Sequence, residues 1–110
     1  MEQKEKEKDT LLNKFKEQYK DVYELQVGDF ESKNIKIGYF RKPTFTEFRM
    51  IYPLIAKGDD IMADRRLLEI CWLGGDEDII NVDENIDIFL SIRAQLGQLI
   101  EIQVATLKKK

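Results

Sequence analysis

Two short segments of the chain alternate apolar with polar residues, and a stretch rich in turn formers, residues 28–34, connects them. Alternation with a period of two predicts β-strands that bury one face and expose the other. The pair is therefore predicted to form an antiparallel hairpin with one face covered by helices. The apolar positions are Tyr23, Leu25 and Val27 in the first strand and Ile35, Ile37 and Tyr39 in the second.

The residues before the hairpin divide into a charged tail and a helix. Residues 1–8 consist mainly of Lys and Glu and are predicted to be disordered, with a single α+β domain at residues 9–110. Asp9 or Thr10 can cap a helix that ends near Lys20. Its apolar stripe, which needs a packing partner, is Leu11, Leu12, Phe15 and Tyr19.

A helix is predicted directly after the hairpin. Thr44 and Glu47 have the spacing of a capping box at its start. Pro53 should kink or shorten this helix, and Gly58 should end it. Its apolar residues at helical spacing are Phe48, Ile51, Tyr52 and Ile55.

Two more helices are predicted in the second half of the chain. The first follows Asp59 or Asp60, ends at Gly74-Gly75, and should be the most buried element because its second half is apolar nearly all round. The second follows Asp83, and Gly97 marks a break in it or a close helix contact. Residues 100–107 fit a continued helix, which we favour, and alternate equally well as a third strand.

The predicted fold class is therefore α+β, with an N-terminal helix, an antiparallel β-hairpin and three helices packed on it, in the order α-β-β-α-α-α. The length of 110 residues suits one domain with one core.

Charge is distributed unevenly along a chain whose net charge is −3. Residues 59–88 carry ten acidic residues against two arginines, which would repel a phosphate backbone, so no nucleic acid partner is expected. The acidic segment is interpreted either as a solvated surface or as a face that steers a basic partner. No apolar run is long enough for a membrane helix and no secretory leader is recognisable, so a cytoplasmic location and no membrane partner are expected.

The residues that carry most enzyme chemistry are scarce. The chain has no histidine, which removes the commonest general base and metal ligand. Cys71 lies late in an apolar helix beside Trp72 and is interpreted as a core residue. The acidic run that begins at Asp76 lacks the glycine that a calcium loop needs at its sixth position, where Asn81 stands. No catalytic, cofactor or metal site is predicted, and the protein is not expected to be an enzyme.

Several strings resemble small phage tail assembly chaperone-like proteins. Residues 23–29 read Tyr-Glu-Leu-Gln-Val-Gly-Asp, and residues 38–44 read Gly-Tyr-Phe-Arg-Lys-Pro-Thr. Residues 71–77, Cys-Trp-Leu-Gly-Gly-Asp-Glu, and 94–101, Ala-Gln-Leu-Gly-Gln-Leu-Ile-Glu, are similar to the later helical part of that family. The resemblance implies a non-enzymatic protein of the bacterial host cytoplasm, encoded by a phage or prophage, that binds the tape measure protein during tail assembly.

A groove between helices that accepts an amphipathic partner helix is the expected binding site. The candidate lining residues are Phe45, Phe48, Met50, Tyr52 and Met62. The competing interpretation of each residue is that it belongs to the core. The competing function is a structural or adaptor protein retained in an assembly as a homo-oligomer.

Overall fold

A computed structural model of the protein describes residues 2–29, 31–100 and 105–110, with side chains from residue 9 onward. It confirms the α+β class: an N-terminal helix, an antiparallel hairpin and three further helices. The elements are α1 Glu2–Gln18, β1 Tyr23–Asp29, β2 Asn34–Phe40, α2 Phe45–Ala56, α3 Asp60–Cys71, β3 Trp72–Gly75 and α4 Ile86–Leu96, with 3₁₀ turns at Glu77–Ile79 and Gly97–Ile100.

The apolar sets of β1 and β2 lie on opposite faces of the sheet. Tyr23 pairs with Phe40 and Leu25 with Gly38, so each odd-numbered residue of β1 faces an even-numbered residue of β2. Directly paired residues share a face, and a shift of one residue would exchange the faces of a whole strand. The expectation that one face of the hairpin is covered and the other hydrated is therefore wrong.

The first face of the sheet packs on α2, α3 and α4. Phe40 is fully buried there, and Tyr23, Leu25 and Val27 pack beside it against the main core. The ring of Trp72 meets Phe40 edge-on at a centroid distance of 5.5 Å. Helix α3 contributes a large share of this core, as its apolar second half predicts: Leu67, Leu68 and Cys71 are buried.

The second face of the sheet packs on α1. The ring centroids of Phe15 and Tyr39 are 6.0 Å apart, and both side chains are buried. Gly74 pairs with Tyr39 in the sheet, and a Cβ added there would lie 2.9 Å from Cζ of Phe15. Phe15, a member of the stripe predicted on α1, thus has its packing partner in the second face of the sheet.

Helix α1 begins at Glu2, earlier than the start predicted at Asp9 or Thr10. Lys, Glu and Gln, which make up residues 2–8, are good helix formers, so the backbone can remain helical ahead of the apolar stripe. The helix crosses the predicted boundary between a tail at residues 1–8 and a domain at residues 9–110, and that division stays a prediction.

The segment Trp72–Gly75 is a strand, β3, and not the end of a helix as predicted. It pairs antiparallel with β2 and completes a sheet of order β1-β2-β3. Gly75 has φ +131°, and a Cβ there would overlap the carbonyl oxygen of Ile37. Gly75, interpreted with Gly74 as a helix stop, therefore allows two backbones to approach closely.

The start of α4 differs from its prediction, whereas its end agrees with the predicted break at Gly97. The helix starts at Ile86 after Asn85 rather than after Asp83, and it ends at Leu96, so Gly97 does mark a break. Of residues 100–107, positions 101–104 lie outside the described residues and positions 105–107 have no regular secondary structure. Ile100 is the last residue of the 3₁₀ turn, and the choice between a helix and a strand for positions 101–104 stays a prediction.

Candidate partner-binding surface

Helix α2 presents a row of apolar side chains that the core does not cover. The four side chains, those of Phe45, Phe48, Tyr52 and Ile55, are separated by three, four and three positions. This spacing places them within roughly 80° of one another around the helix axis. Phe45 is 77% exposed and Tyr52 is 56% exposed, whereas Phe48 is half-buried. The rings of Phe48 and Tyr52 lie 6.0 Å apart between centroids. We call this row the α2 stripe; its members are Phe45, Phe48, Tyr52 and Ile55.

The start of α2 is held by the predicted capping box. The hydroxyl of Thr44 accepts a hydrogen bond from the N–H of Glu47 at 3.2 Å. The carboxylate of Glu47 accepts one from the N–H of Thr44 at 2.8 Å. Both bonds satisfy helix donors that would otherwise lack partners, so the first turn, which carries Phe45, is well defined.

Arg41 fixes α2 relative to the rest of the fold. Its guanidinium donates two hydrogen bonds to Glu47, both 2.8 Å long, and a third to the carbonyl of Ile70 at 3.0 Å. Its backbone N–H donates to the carbonyl of Cys71 at 3.0 Å. The guanidinium also lies 5.9 Å from the ring centroid of Tyr19. Arg41, the residue directly after β2, thereby contacts α2, α3 and Tyr19, the residue directly after α1.

The electrostatics of this junction keep Glu47 ionised. The hydrogen bonds from Arg41 are the main reason that the pKa of Glu47 falls to about 2, although burial opposes the shift. The same hydrogen bonds raise the pKa of Arg41. The ion pair and the capping box therefore use one carboxylate, and protonation of Glu47 would weaken both.

A cleft of about 360 Å³ adjoins the α2 stripe on the side of α3. Ile51 and Ile55 line it from α2, and Asp60, Asp64 and Leu67 line it from α3. Arg93 of α4 donates a hydrogen bond to Asp64 at 2.7 Å, so this charge is already paired. The cleft gives the stripe one concave edge with apolar and acidic character.

The structure divides the predicted binding residues into separate surfaces. Phe45, Phe48 and Tyr52 lie together, whereas Met50, which is 68% exposed, points roughly 160° away from Tyr52 around α2. Met62 lies on the outer side of α3, opposite the buried residues of that helix. The five residues therefore do not line one groove, and their part in partner binding stays a prediction. Ile55 completes the stripe. The sequence already indicated this position, because Ile55 belongs to the apolar residues at helical spacing in α2.

Asp76, Asp78 and Cys71, which could suggest a metal site or a nucleophile, have contacts within the fold. Asp76 accepts the N–H of Ile37 at 2.7 Å, and Asp78 forms an ion pair with Lys36. Cys71 is fully buried, and burial raises the pKa of its thiol to about 12, so it is not a thiolate near neutral pH. Among the described residues, no three His, Cys, Asp or Glu side chains are grouped so that they could hold a metal ion.

Comparison of the chain with protein-family models, curated proteins and solved structures finds no match in any of the three. In the parts of the chain that the structure describes, no helix has the length and apolar character needed to cross a membrane.

Proposed function

We propose that this protein is a non-enzymatic protein-binding module that holds an amphipathic helix of a phage tail protein on the α2 stripe. The observation that carries the proposal is the exposure of Phe45 and Tyr52 in one row with Phe48. Single exposed apolar residues are common on protein surfaces. A contiguous row of large, solvent-exposed apolar side chains is instead typical of an interaction surface.

The energetics of the stripe favour a helical partner. Burial of an exposed Phe or Tyr contributes about 2 kcal/mol, so a few such side chains can supply most of the binding free energy. A row that is long and narrow matches the apolar face of another helix, whose side chains recur at the same spacing. The capping box and Arg41 hold α2 in place before a partner binds, which reduces the entropy cost of association.

The partner class follows from the resemblance of residues 23–29, 38–44, 71–77 and 94–101 to phage tail assembly chaperone-like proteins. We propose the tape measure protein as the partner and the host cytoplasm as the location, with no nucleic acid and no membrane partner. The second candidate is a structural or adaptor protein that stays in the particle as a homo-oligomer. The two differ in whether the chain is present in finished particles.

The experiment is affinity capture of the tagged protein during prophage induction, with mass spectrometry of the captured material and of purified particles. We expect recovery of a long tail protein with wild type and a loss of at least tenfold with Tyr52→Asp, because a buried charge cannot pair in an apolar contact. Absence of the chain from particles supports the assembly-chaperone proposal, and its presence supports the structural alternative.

Met50→Asp is the matched control. It introduces the same charge into the same helix at a residue of similar exposure, but on the other side of α2. We expect it to leave capture unchanged. Equal losses with both variants, or capture of no phage protein by a folded wild type, would contradict the proposal that the α2 stripe holds the partner.

A further inference from the structure

We propose that the cleft beside the α2 stripe takes up a Lys or Arg side chain of the partner helix, whose positive charge pairs with Asp60. This inference rests on the proposed function, because it names the chemistry of the helix that the α2 stripe would hold. It adds a basic residue to that helix, next to the apolar row that contacts the stripe.

The acidic character of the cleft comes from one face of α3. Asp60 and Asp64 both line the cleft and are four positions apart in the helix, so their side chains lie on the same face. Arg93, the cation of the lining, donates a hydrogen bond to Asp64 at 2.7 Å. Among the described residues, the carboxylate of Asp60 has no hydrogen bond or ion pair, and Asp60 is exposed. The lining therefore has one carboxylate more than it has cations, and that carboxylate is accessible to a partner.

Apolar side chains form the walls of the cleft around these charges. Ile51 and Leu67 are buried at its base, and Ile55 is 38% exposed at its rim. Lys and Arg pack their methylene groups on apolar surface while the charged end stays near water or a carboxylate. An acidic side chain would be repelled by Asp60, and an aliphatic one would leave Asp60 without a counter-charge. A basic side chain therefore fits both the walls and the charge.

The cleft lies where a helix on the α2 stripe would reach it. Ile55 belongs both to the stripe and to the lining of the cleft, so the two surfaces are continuous. The opposite flank of the stripe has the other charge: Arg49 is exposed and lies about 120° from Ile55 around α2, on the far side of Phe45. A cation on that flank would meet a like charge, so the basic residue belongs on the side of the cleft.

The test uses three fluorescent helical peptides that share a row of leucines at helical spacing and differ at one position beside that row. This position holds lysine, norleucine or glutamate. We expect the lysine peptide to bind about threefold to tenfold more tightly than the norleucine peptide, as for a partly shielded ion pair, and the glutamate peptide to bind most weakly. The advantage of lysine should shrink as salt is added, because salt screens the pair.

Asp60→Asn tests the assignment of the charge, and Asp87→Asn is the matched control. Both residues are acids in the first turn of a helix, α3 and α4 respectively. Asp59 still caps α3 in the first variant, because its carboxylate accepts the N–H of Met62 at 3.3 Å, so the variant should fold. We expect Asp60→Asn to bind the lysine and norleucine peptides with equal affinity, and Asp87→Asn to keep the preference of wild type.

The outcomes separate this inference from the function on which it rests. Equal binding of all three peptides, or a lysine preference that folded Asp60→Asn retains, would overturn the role of the cleft while the α2 stripe remained the binding surface. Binding of no peptide by folded wild type, or binding that Tyr52→Asp does not weaken, would overturn both proposals.

Discussion

Arg41 and Glu47 form a bidentate ion pair, with both Nη–Oε distances at 2.8 Å, in the segment that connects β2 with α2. The side chains are six positions apart in sequence, and Thr44 between them caps the helix with the help of the same carboxylate. Since charge-assisted, paired hydrogen bonds are stronger than neutral ones, this pair should hold the orientation of the α2 stripe.

The pH dependence of stability should show the ionisation of Glu47. Its pKa is about 2 in the folded protein and its ordinary value is 4.5. A lowered folded-state pKa contributes stability that is complete above the ordinary pKa and is lost as pH falls toward 2. We expect the free-energy difference between wild type and Glu47→Gln, from urea unfolding, to shrink between about pH 5 and pH 2. A constant difference over this range would contradict the assignment.

Glu69→Gln is the control for that series. Glu69 interacts with Arg65 and Arg66 across longer distances of 3.3 Å and 3.5 Å on an exposed helix face. Solvent screens exposed pairs of this kind, so the variant should change stability little at any pH.

Substitution of Gly75 and of Gly97 should distinguish a glycine that the backbone requires from one that has open space around it. Gly75→Ala places a Cβ on a residue with φ +131° and against the carbonyl oxygen of Ile37, so we expect a loss of at least about 2 kcal/mol in unfolding free energy. Gly97→Ala has an ordinary helical φ of −60° and meets nothing within 4 Å, so a gain of about 0.5 kcal/mol is expected. Thermal or urea unfolding measures both, and equal effects would contradict the tight β2–β3 contact.

Phe15→Ala should test whether α1 covers the second face of the sheet. Phe15 is buried against Tyr39 and Gly74, so its loss should cost about 3 kcal/mol of unfolding free energy. Lys16→Ala changes the next, exposed residue of α1 and should cost less than about 0.5 kcal/mol. If both variants unfold at the same urea concentration as wild type, the packing of α1 on the sheet is wrong.

The sequence alone determined the features that depend on neighbouring residues. The capping box of Thr44 and Glu47, the side-chain cap of Asp59 on α3 and the break of α4 at Gly97 were all predictable, because each involves a turn of helix or less. The periods of two and 3.6 residues likewise predicted the hairpin and the helices after it.

Tertiary structure decided how those elements share faces. The pairing of Tyr23 with Phe40 places the apolar sets of β1 and β2 on opposite sides, and a register shifted by one residue would have placed them together. Trp72–Gly75 became a strand because its glycines can lie against β2, a contact between distant parts of the chain. Helical spacing could group Phe45, Phe48 and Tyr52 on one face of α2. Which face of α2 is buried depends on contacts across the core, so only the packing of α3 and α4 determined it.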